Sequence, residues 1–122
     1  MCKVVTIDIG GKSIAVADIK QDYIKNIVDL ASRCEKIKRI VLFGSAIEDR
    51  CTKNSDIDLA VFGDESENKI LLSKSYKDFV KGVFAYDFSQ NYDILYFKNN
   101  SQNTLPIMAN INKGTVLYEK AW

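Results

Sequence analysis

Two aspartates within an apolar stretch are the residues with the clearest chemical potential in this chain. Asp56 and Asp58 alternate with Ile57, Leu59 and Val61, which predicts a β-strand over residues 56–62 with both carboxylates on one face. Side chains two positions apart in a strand lie about 7 Å apart, so ionised carboxylates there repel each other unless a cation lies between them. Magnesium suits that place, because it binds hard oxygen ligands, commonly one or two carboxylates together with substrate phosphates.

A glycine and a serine precede this strand and suit the binding of phosphate. Gly44 and Ser45 follow an apolar run at residues 40–43, which predicts a short buried strand, and ten residues separate Ser45 from Asp56. A glycine at a strand end lets the backbone approach a phosphate closely, and a helical turn that begins there directs its N–H groups at the anion. Together the two motifs indicate metal-assisted phosphoryl chemistry.

The composition predicts one soluble globular domain. The chain has 122 residues, of which 47% are hydrophobic and 27% charged, and its net charge is +1. A net charge this small gives no strong field for DNA or for an anionic membrane. No segment reaches the length of a membrane span and the first residues do not resemble a signal peptide, so we expect a cytoplasmic protein.

The absence of histidine narrows the possible chemistry. With no histidine in the chain, Ser-His-Asp and Cys-His nucleophiles, histidine acid–base catalysis and most zinc sites are excluded. The cysteines Cys2, Cys34 and Cys51 are odd in number and form no close pair in the sequence, which argues against a disulfide framework. Catalysis would therefore use carboxylates, hydroxyls, lysines or a bound metal.

Periodicity and turn signals predict the remaining elements. Residues 1–20 form an N-terminal β-hairpin extension, with strands at 4–9 and 13–19 joined by two glycines. A helix over 22–37 and a longer one over about 68–87 each carry an apolar stripe. A strand at 92–97, a short helix from about 104 to 112 and a strand at 115–119 complete the chain. The stripe of the first helix comprises Tyr23, Ile27, Leu30, Ala31 and Cys34, and that of the second comprises Leu72, Tyr76, Phe79, Val80 and Val83.

The motif Gly-Ser-x10-Asp-x-Asp at residues 44–58 resembles the signature of the polymerase-β-like nucleotidyltransferase superfamily. It is most similar to the small branch known as minimal nucleotidyltransferases, and the sequence over residues 111–119 resembles the end of those proteins as well. The resemblance covers most of residues 22–120. It implies an α/β fold in which a mixed, twisted sheet is flanked by helices.

The resemblance also implies a metal site made of three carboxylates. Asp56 and Asp58 would hold Mg²⁺, with two ions expected. Asp93, within the strand predicted at 92–97, matches the family's third acidic residue, which completes the metal site and takes the proton from the acceptor hydroxyl. Asp87 is the alternative if the register of this strand differs.

Gly44 and Ser45 would bind the phosphates of ATP or another NTP. The arginines that the family often carries directly after the Gly-Ser pair are missing from this sequence. Arg50 and Lys53 come later in the connector and are the candidates for holding the triphosphate. The alternative interpretation is that both belong to a solvated loop.

The expected reaction is transfer of a nucleoside monophosphate, AMP from ATP, to a hydroxyl acceptor. Because 122 residues leave little room for an acceptor-binding domain, we expect a partner protein or a second copy of the chain to complete the acceptor site. Bacterial minimal nucleotidyltransferases often act as antitoxins that transfer AMP to a tyrosine of a helical HEPN-type toxin, which is the leading hypothesis. The alternatives are an aminoglycoside-type antibiotic nucleotidyltransferase and a non-catalytic binding module that pairs with a helical partner.

Overall fold

The computed structural model describes residues 2–9, 11–99 and 107–120. Short 3-10 turns at Asp18–Lys20 and Gly44–Ile47 follow the second and third strands. The strands are β1 (Val4–Ile9), β2 (Lys12–Ala17), β3 (Arg39–Phe43), β4 (Ile57–Gly63), β5 (Tyr92–Lys98) and β6 (Thr115–Glu119). The helices are α1 (Gln21–Ser32), α2 (Glu67–Ile70), α3 (Lys74–Ala85) and α4 (Ile107–Asn112).

Four of the strands form a mixed sheet in the order β5-β4-β3-β6. β3 pairs antiparallel with both β4 and β6, whereas β4 pairs parallel with β5. β1 and β2 form a separate antiparallel pair, so the N-terminal hairpin adds no strand to this sheet. The predicted α/β fold with a mixed sheet is confirmed.

Both faces of the sheet are covered, and each face has its own apolar cluster. The larger cluster joins β3 and β4 to α1, α3 and the hairpin, and the smaller cluster joins the opposite face to α4. Alternation along β4 places Asp58 on the same face as Ala60 and Phe62, which belong to the smaller cluster. The site carboxylates therefore lie on the α4 side of the sheet. The larger cluster includes Ile7, Val16, Ile27, Leu42, Leu59 and Phe79; the smaller includes Val41, Phe43, Ala60, Phe62, Phe97 and Ile111.

The first helix is shorter than predicted, since α1 ends at Ser32 rather than at residue 37. The chain continues in turns, in which the N–H of Cys34 donates to the carbonyl of Ala31 (3.0 Å) and that of Ile37 donates to the carbonyl of Cys34 (3.3 Å). Cys34 and Ile37 are buried all the same. The helical spacing of apolar residues therefore continues past Ser32, and for this reason the predicted end of the helix was wrong.

The helix predicted over residues 68–87 consists of two helices. Ser66 caps α2, and Ser73 caps α3 by accepting a hydrogen bond from the N–H of Tyr76 (3.4 Å). A serine side chain satisfies an N–H group that the first turn leaves without a partner, so it starts a new helix. Leu72 lies in the connection and is 78% exposed, so its predicted place on the buried stripe was wrong. Tyr76, Phe79 and Val83 are buried in α3.

At the two ends of the chain, β1 and β6 have the predicted bounds and β2 does not. β6 occupies residues 115–119 as predicted, while the second strand of the hairpin ends at Ala17 rather than at residue 19. The predicted start of the short helix, residues 104–106, lies outside the described residues. Among the residues that the structure describes, no helix is long and apolar enough to cross a membrane.

Candidate active site

The parallel pairing of β4 with β5 brings two of the predicted carboxylates together. Asp58 lies directly opposite Asp93 in the register of the two strands, and neighbouring strands are about 4.8 Å apart. Burial raises the pKa of Asp58, and the nearby charges of Asp93 and Asp56 raise it further. Asp58 and Asp93 are therefore neighbours, and Asp56 lies near enough for its charge to act on Asp58.

Gly44 lies against this group. β3 pairs with β4 so that Phe43 is opposite Asp58, and the 3-10 turn starts at the next residue. Gly44 has a φ angle of +77°, which residues with a side chain rarely adopt, and a Cβ atom at this position would collide with the Oδ2 atom of Asp58. Position 44 therefore requires glycine for two reasons: the backbone angle, and the close approach of the backbone to the Asp58 carboxylate.

A cleft of about 440 Å³ contains these groups. Asp58 and Asp93 line it together with Gly44, and α4 and the turn after it contribute Asn110 and Lys113. The cleft thus combines carboxylates, a backbone turn that requires glycine, and an exposed lysine. Its full lining comprises Phe43, Gly44, Ile47, Glu48, Arg50, Asp58, Asp93, Ile107, Asn110 and Lys113.

The other predicted site residues lie around the cleft or away from it. Asp56 is exposed just before β4, and Ser45 is half-buried in the 3-10 turn; neither is among the lining residues. Arg50 lines the cleft, where its guanidinium pairs with the carboxylate of Glu48. Lys53 lines a different cavity, together with Cys2, Ile19, Tyr23, Cys51 and Thr52.

Asp87, the alternative to Asp93, is engaged elsewhere. Its Oδ1 atom accepts hydrogen bonds from the hydroxyl (2.6 Å) and the N–H (2.9 Å) of Ser89, and its Oδ2 atom accepts one from the Tyr23 hydroxyl (2.5 Å). These bonds, with that of the Ser89 hydroxyl the largest effect, lower the pKa of Asp87 to about 2. Asp87 is not among the residues that line the cleft, and its contacts indicate a role in joining α1 to the end of α3.

We expect Asp87→Asn to lower stability at neutral pH. A carboxylate whose pKa is lower in the folded state stabilises the fold above its unfolded pKa of about 3.9 and loses this effect as the pH falls toward the folded value. The difference in urea midpoint between wild type and variant should therefore shrink between about pH 4 and pH 2. Asp22→Asn, at an exposed position, is the control, and a difference that persists in acid would contradict this explanation.

The donor set fits magnesium. Asp56, Asp58 and Asp93 offer only hard carboxylate oxygens, which suit Mg²⁺ rather than softer metals. A divalent cation would also relieve the repulsion that, together with the larger effect of burial, raises the pKa of Asp58. Within the described residues no three acidic or cysteine side chains are already gathered closely enough to form a complete ligand cluster. Such a partial set is typical of Mg²⁺ sites, in which substrate phosphates and waters supply the remaining ligands.

A Gly-Ser turn at the end of one strand, set against carboxylates on the neighbouring strand of a mixed sheet, defines the class of nucleotidyltransferase folds. A family model described as Polymerase beta, Nucleotidyltransferase matches residues 25–121, and the chain belongs to this family. The match confirms the resemblance that the motif at residues 44–58 indicated. Among curated proteins no sequence matches the chain.

Two residues of the cleft, Asn110 and Lys113, belong to none of the sequence motifs and were not predicted. They lie next to it because β6 pairs antiparallel with β3, with Thr115 opposite Leu42, so the helix that precedes β6 ends beside the Gly44 turn. The sequence predicted β6 itself but gave no signal for its partner strand. Lys113 has no ion-pair partner within the described part of the chain.

Proposed function

We propose that this protein is a Mg²⁺-dependent nucleotidyltransferase of the minimal type, which transfers AMP from ATP to a hydroxyl acceptor. The observation that carries the proposal is the contact between the backbone of Gly44 and the carboxylate of Asp58, with Asp93 opposite Asp58 in the same cleft. Phosphates bound at the Gly44 turn would lie beside the carboxylates that hold a metal, which is the juxtaposition that phosphoryl transfer needs.

Each residue then has a definite role. Asp56 and Asp58 would hold the metal, which would supply positive charge against the phosphates and the leaving pyrophosphate. Gly44 and Ser45 offer N–H groups to the terminal phosphates. The acceptor oxygen forms its bond to the α-phosphorus as the bond to pyrophosphate breaks, and the carboxylate of Asp93 takes the hydroxyl proton.

Two basic side chains, those of Arg50 and Lys113, line the cleft and could bind the triphosphate of the nucleotide. Arg50 is the predicted candidate that lines it, and its pairing with Glu48 means that a phosphate must compete with that carboxylate. Lys113 lines the cleft without such a competitor among the described residues. Lys53, in a separate cavity, is the weaker candidate of the predicted pair.

For the acceptor, the family resemblance favours a tyrosine of a helical HEPN-type partner, which would make this protein an antitoxin. Exposed aromatic side chains precede the strand that carries Asp93: Phe88 is 85% exposed, Tyr86 50% and Phe84 38%. Exposed apolar groups are typical of protein interaction surfaces, and these residues support a protein-binding surface near the end of α3. Phe84 packs against Tyr92 on the face of the sheet opposite the carboxylates, so this surface is separate from the cleft.

The proposal is tested with ATP labelled at the α- or the γ-phosphorus, incubated with Mg²⁺, this protein and a candidate helical partner. We expect only the α-label to become protein-bound, and the partner to gain the mass of one AMP. Asp58→Ala should abolish the transfer. Transfer of the γ-label would contradict the proposal, and so would full neutralisation of the partner by Asp58→Ala, which would indicate a binding module. Labelling of an aminoglycoside instead of a protein would favour antibiotic modification.

A further inference from the structure

A buried lysine contacts the segment that leads into Asp56. Lys20, the last residue of the 3-10 turn between β2 and α1, is only 1% exposed. Its Nζ atom donates to the carbonyls of Lys53 (3.2 Å) and Ser55 (2.9 Å) and to the Oε1 atom of Gln90 (2.6 Å). An ammonium group has three donors, and here each has an oxygen acceptor. Lysine is almost never buried to this extent unless it is paired.

Gln90 extends these contacts into a network. It is 6% exposed, and its Nε2 atom donates to the carbonyls of Ser55 (3.0 Å) and Asn91 (2.7 Å). The carbonyl of Asn91 also accepts a hydrogen bond from the N–H of Ile57 (3.1 Å). The network therefore joins the segment that enters β4 to the segment that enters β5.

The segments so joined lead directly to the site carboxylates. Asp56 follows Ser55 and precedes the first residue of β4, so the strand pairing does not hold its backbone. The Ser55 carbonyl, which Lys20 and Gln90 both bind, anchors the chain one residue before Asp56. On the other strand, Asp93 follows the anchored Asn91 by two residues.

We propose that Lys20 is a positioning residue, which fixes the starts of β4 and β5 relative to each other and so holds Asp56 at the correct distance from Asp58 and Asp93 for a metal–nucleotide complex. This inference rests on the proposed function. Lys20 lies before the matched residues 25–121, so the N-terminal extension contributes a structural part of the site.

The cost of burying the ammonium supports a specific role. Burial lowers the pKa of Lys20, and nearby negative groups, among them Asp56, oppose this shift. An apolar side chain at this position would avoid the desolvation of a charge. Such replacements of buried ions are often neutral or stabilising for the fold. Lys20 is therefore poorly explained by packing alone and well explained by the three oxygens that it brings together.

Lys20→Met tests the proposal, since methionine fills much of the same space without hydrogen-bond donors. If Lys20 acted only through its charge, its removal would tighten the binding of a cation at the carboxylates. If Lys20 instead positions Asp56, its removal should weaken the binding of a cation there. We expect the dissociation constant of Mg²⁺ with α,β-methylene ATP, measured by calorimetry, to rise about 10–100-fold, the range found when supporting contacts of metal ligands are removed. Lys25→Met, which removes an exposed charge on α1, should leave it unchanged.

Hydrogen exchange gives a readout that needs no nucleotide. In metal-free protein, Lys20→Met should speed exchange of the Ile57 amide, which binds Asn91, while the amides of the β1–β2 pair keep their protection. Gln90→Met should have the same effect and replaces Lys20→Met if that variant fails to fold. Unchanged or tighter binding, or unchanged exchange at Ile57, would overturn the proposal. Failure of the wild type to bind the nucleotide would instead count against the proposed function.

Discussion

Asp58→Asn is expected to abolish the Mg²⁺-dependent stabilisation by ATP and to raise the melting temperature of the metal-free protein. The first effect follows because the variant removes the charged metal ligand that lies between Asp56 and Asp93. Wild type at an ATP concentration about 100 times the dissociation constant should gain about 2.7 kcal/mol, a rise of several degrees in Tm. A thermal-shift titration with each NTP, with and without Mg²⁺, measures this gain.

The second effect of Asp58→Asn follows from the raised pKa of this carboxyl. A carboxyl whose folded pKa is higher than its unfolded pKa destabilises the fold above the folded value. The penalty disappears as the pH falls below the unfolded value of about 3.9. The metal-free variant should therefore be more stable than wild type at neutral pH, and the two should converge in acid.

The matched control for Asp58→Asn is Asp78→Asn on α3. Asp78 is exposed and its Oδ2 atom lies 3.7 Å from the Nζ atom of Lys74, an ion pair of a kind that contributes about 0.3–0.5 kcal/mol. This variant should keep the full Mg²⁺-dependent shift with ATP. A nucleotide-dependent shift that survives in Asp58→Asn would contradict the proposed metal site.

Gly44→Ala is expected to destabilise the protein and to abolish nucleotide binding. An alanine in the left-handed backbone conformation costs about 1–2 kcal/mol. The collision of its Cβ atom with the Asp58 carboxylate adds about 1–3 kcal/mol, as overpacking commonly does. Because β4 lies between β3 and β5, a displacement of Asp58 that relieves the collision changes the distance between its carboxylate and that of Asp93. Urea unfolding measures the stability, and calorimetry with Mg²⁺ and ATP measures the binding.

Gly11 provides a control that separates the two causes. Its φ angle is +84°, close to that of Gly44, but a Cβ atom there would meet nothing within 4 Å. Gly11→Ala should therefore show the backbone cost alone, with nucleotide binding intact. If Gly44→Ala were no more destabilising than Gly11→Ala and bound nucleotide normally, the contact between Gly44 and Asp58 would contribute neither to stability nor to nucleotide binding.

Local patterns in the sequence were sufficient for most strands and for the fold class. β4 and β6 lie within a residue of their predicted bounds, because alternation and glycine signals are local. Helix ends were harder, since buried residues such as Ile37 follow a helix without belonging to it. The division between α2 and α3 depends on the cap of Ser73, for which the sequence held a signal, a serine at the start of an apolar stripe.

Residues of the site could be predicted only where they belong to a motif. Gly44 and Asp58 were found from their spacing, and Asp93 from its place in a strand, but their proximity depends on the register of three strands. Lys20 could not be found in this way, because a lysine in a turn is expected to be exposed. Its three acceptors come from segments that are distant in sequence and meet only in the folded chain.

The position of β6 has a consequence for the order in which the chain acquires its structure. β3, a central strand, takes one neighbour from β4 and the other from the C-terminal strand β6. During synthesis β3 can pair with β4 long before its second neighbour leaves the ribosome. Until then it presents an unpaired apolar edge, which is a site for misassociation. Closing the sheet is thus a late, non-local event, and such pairings slow folding.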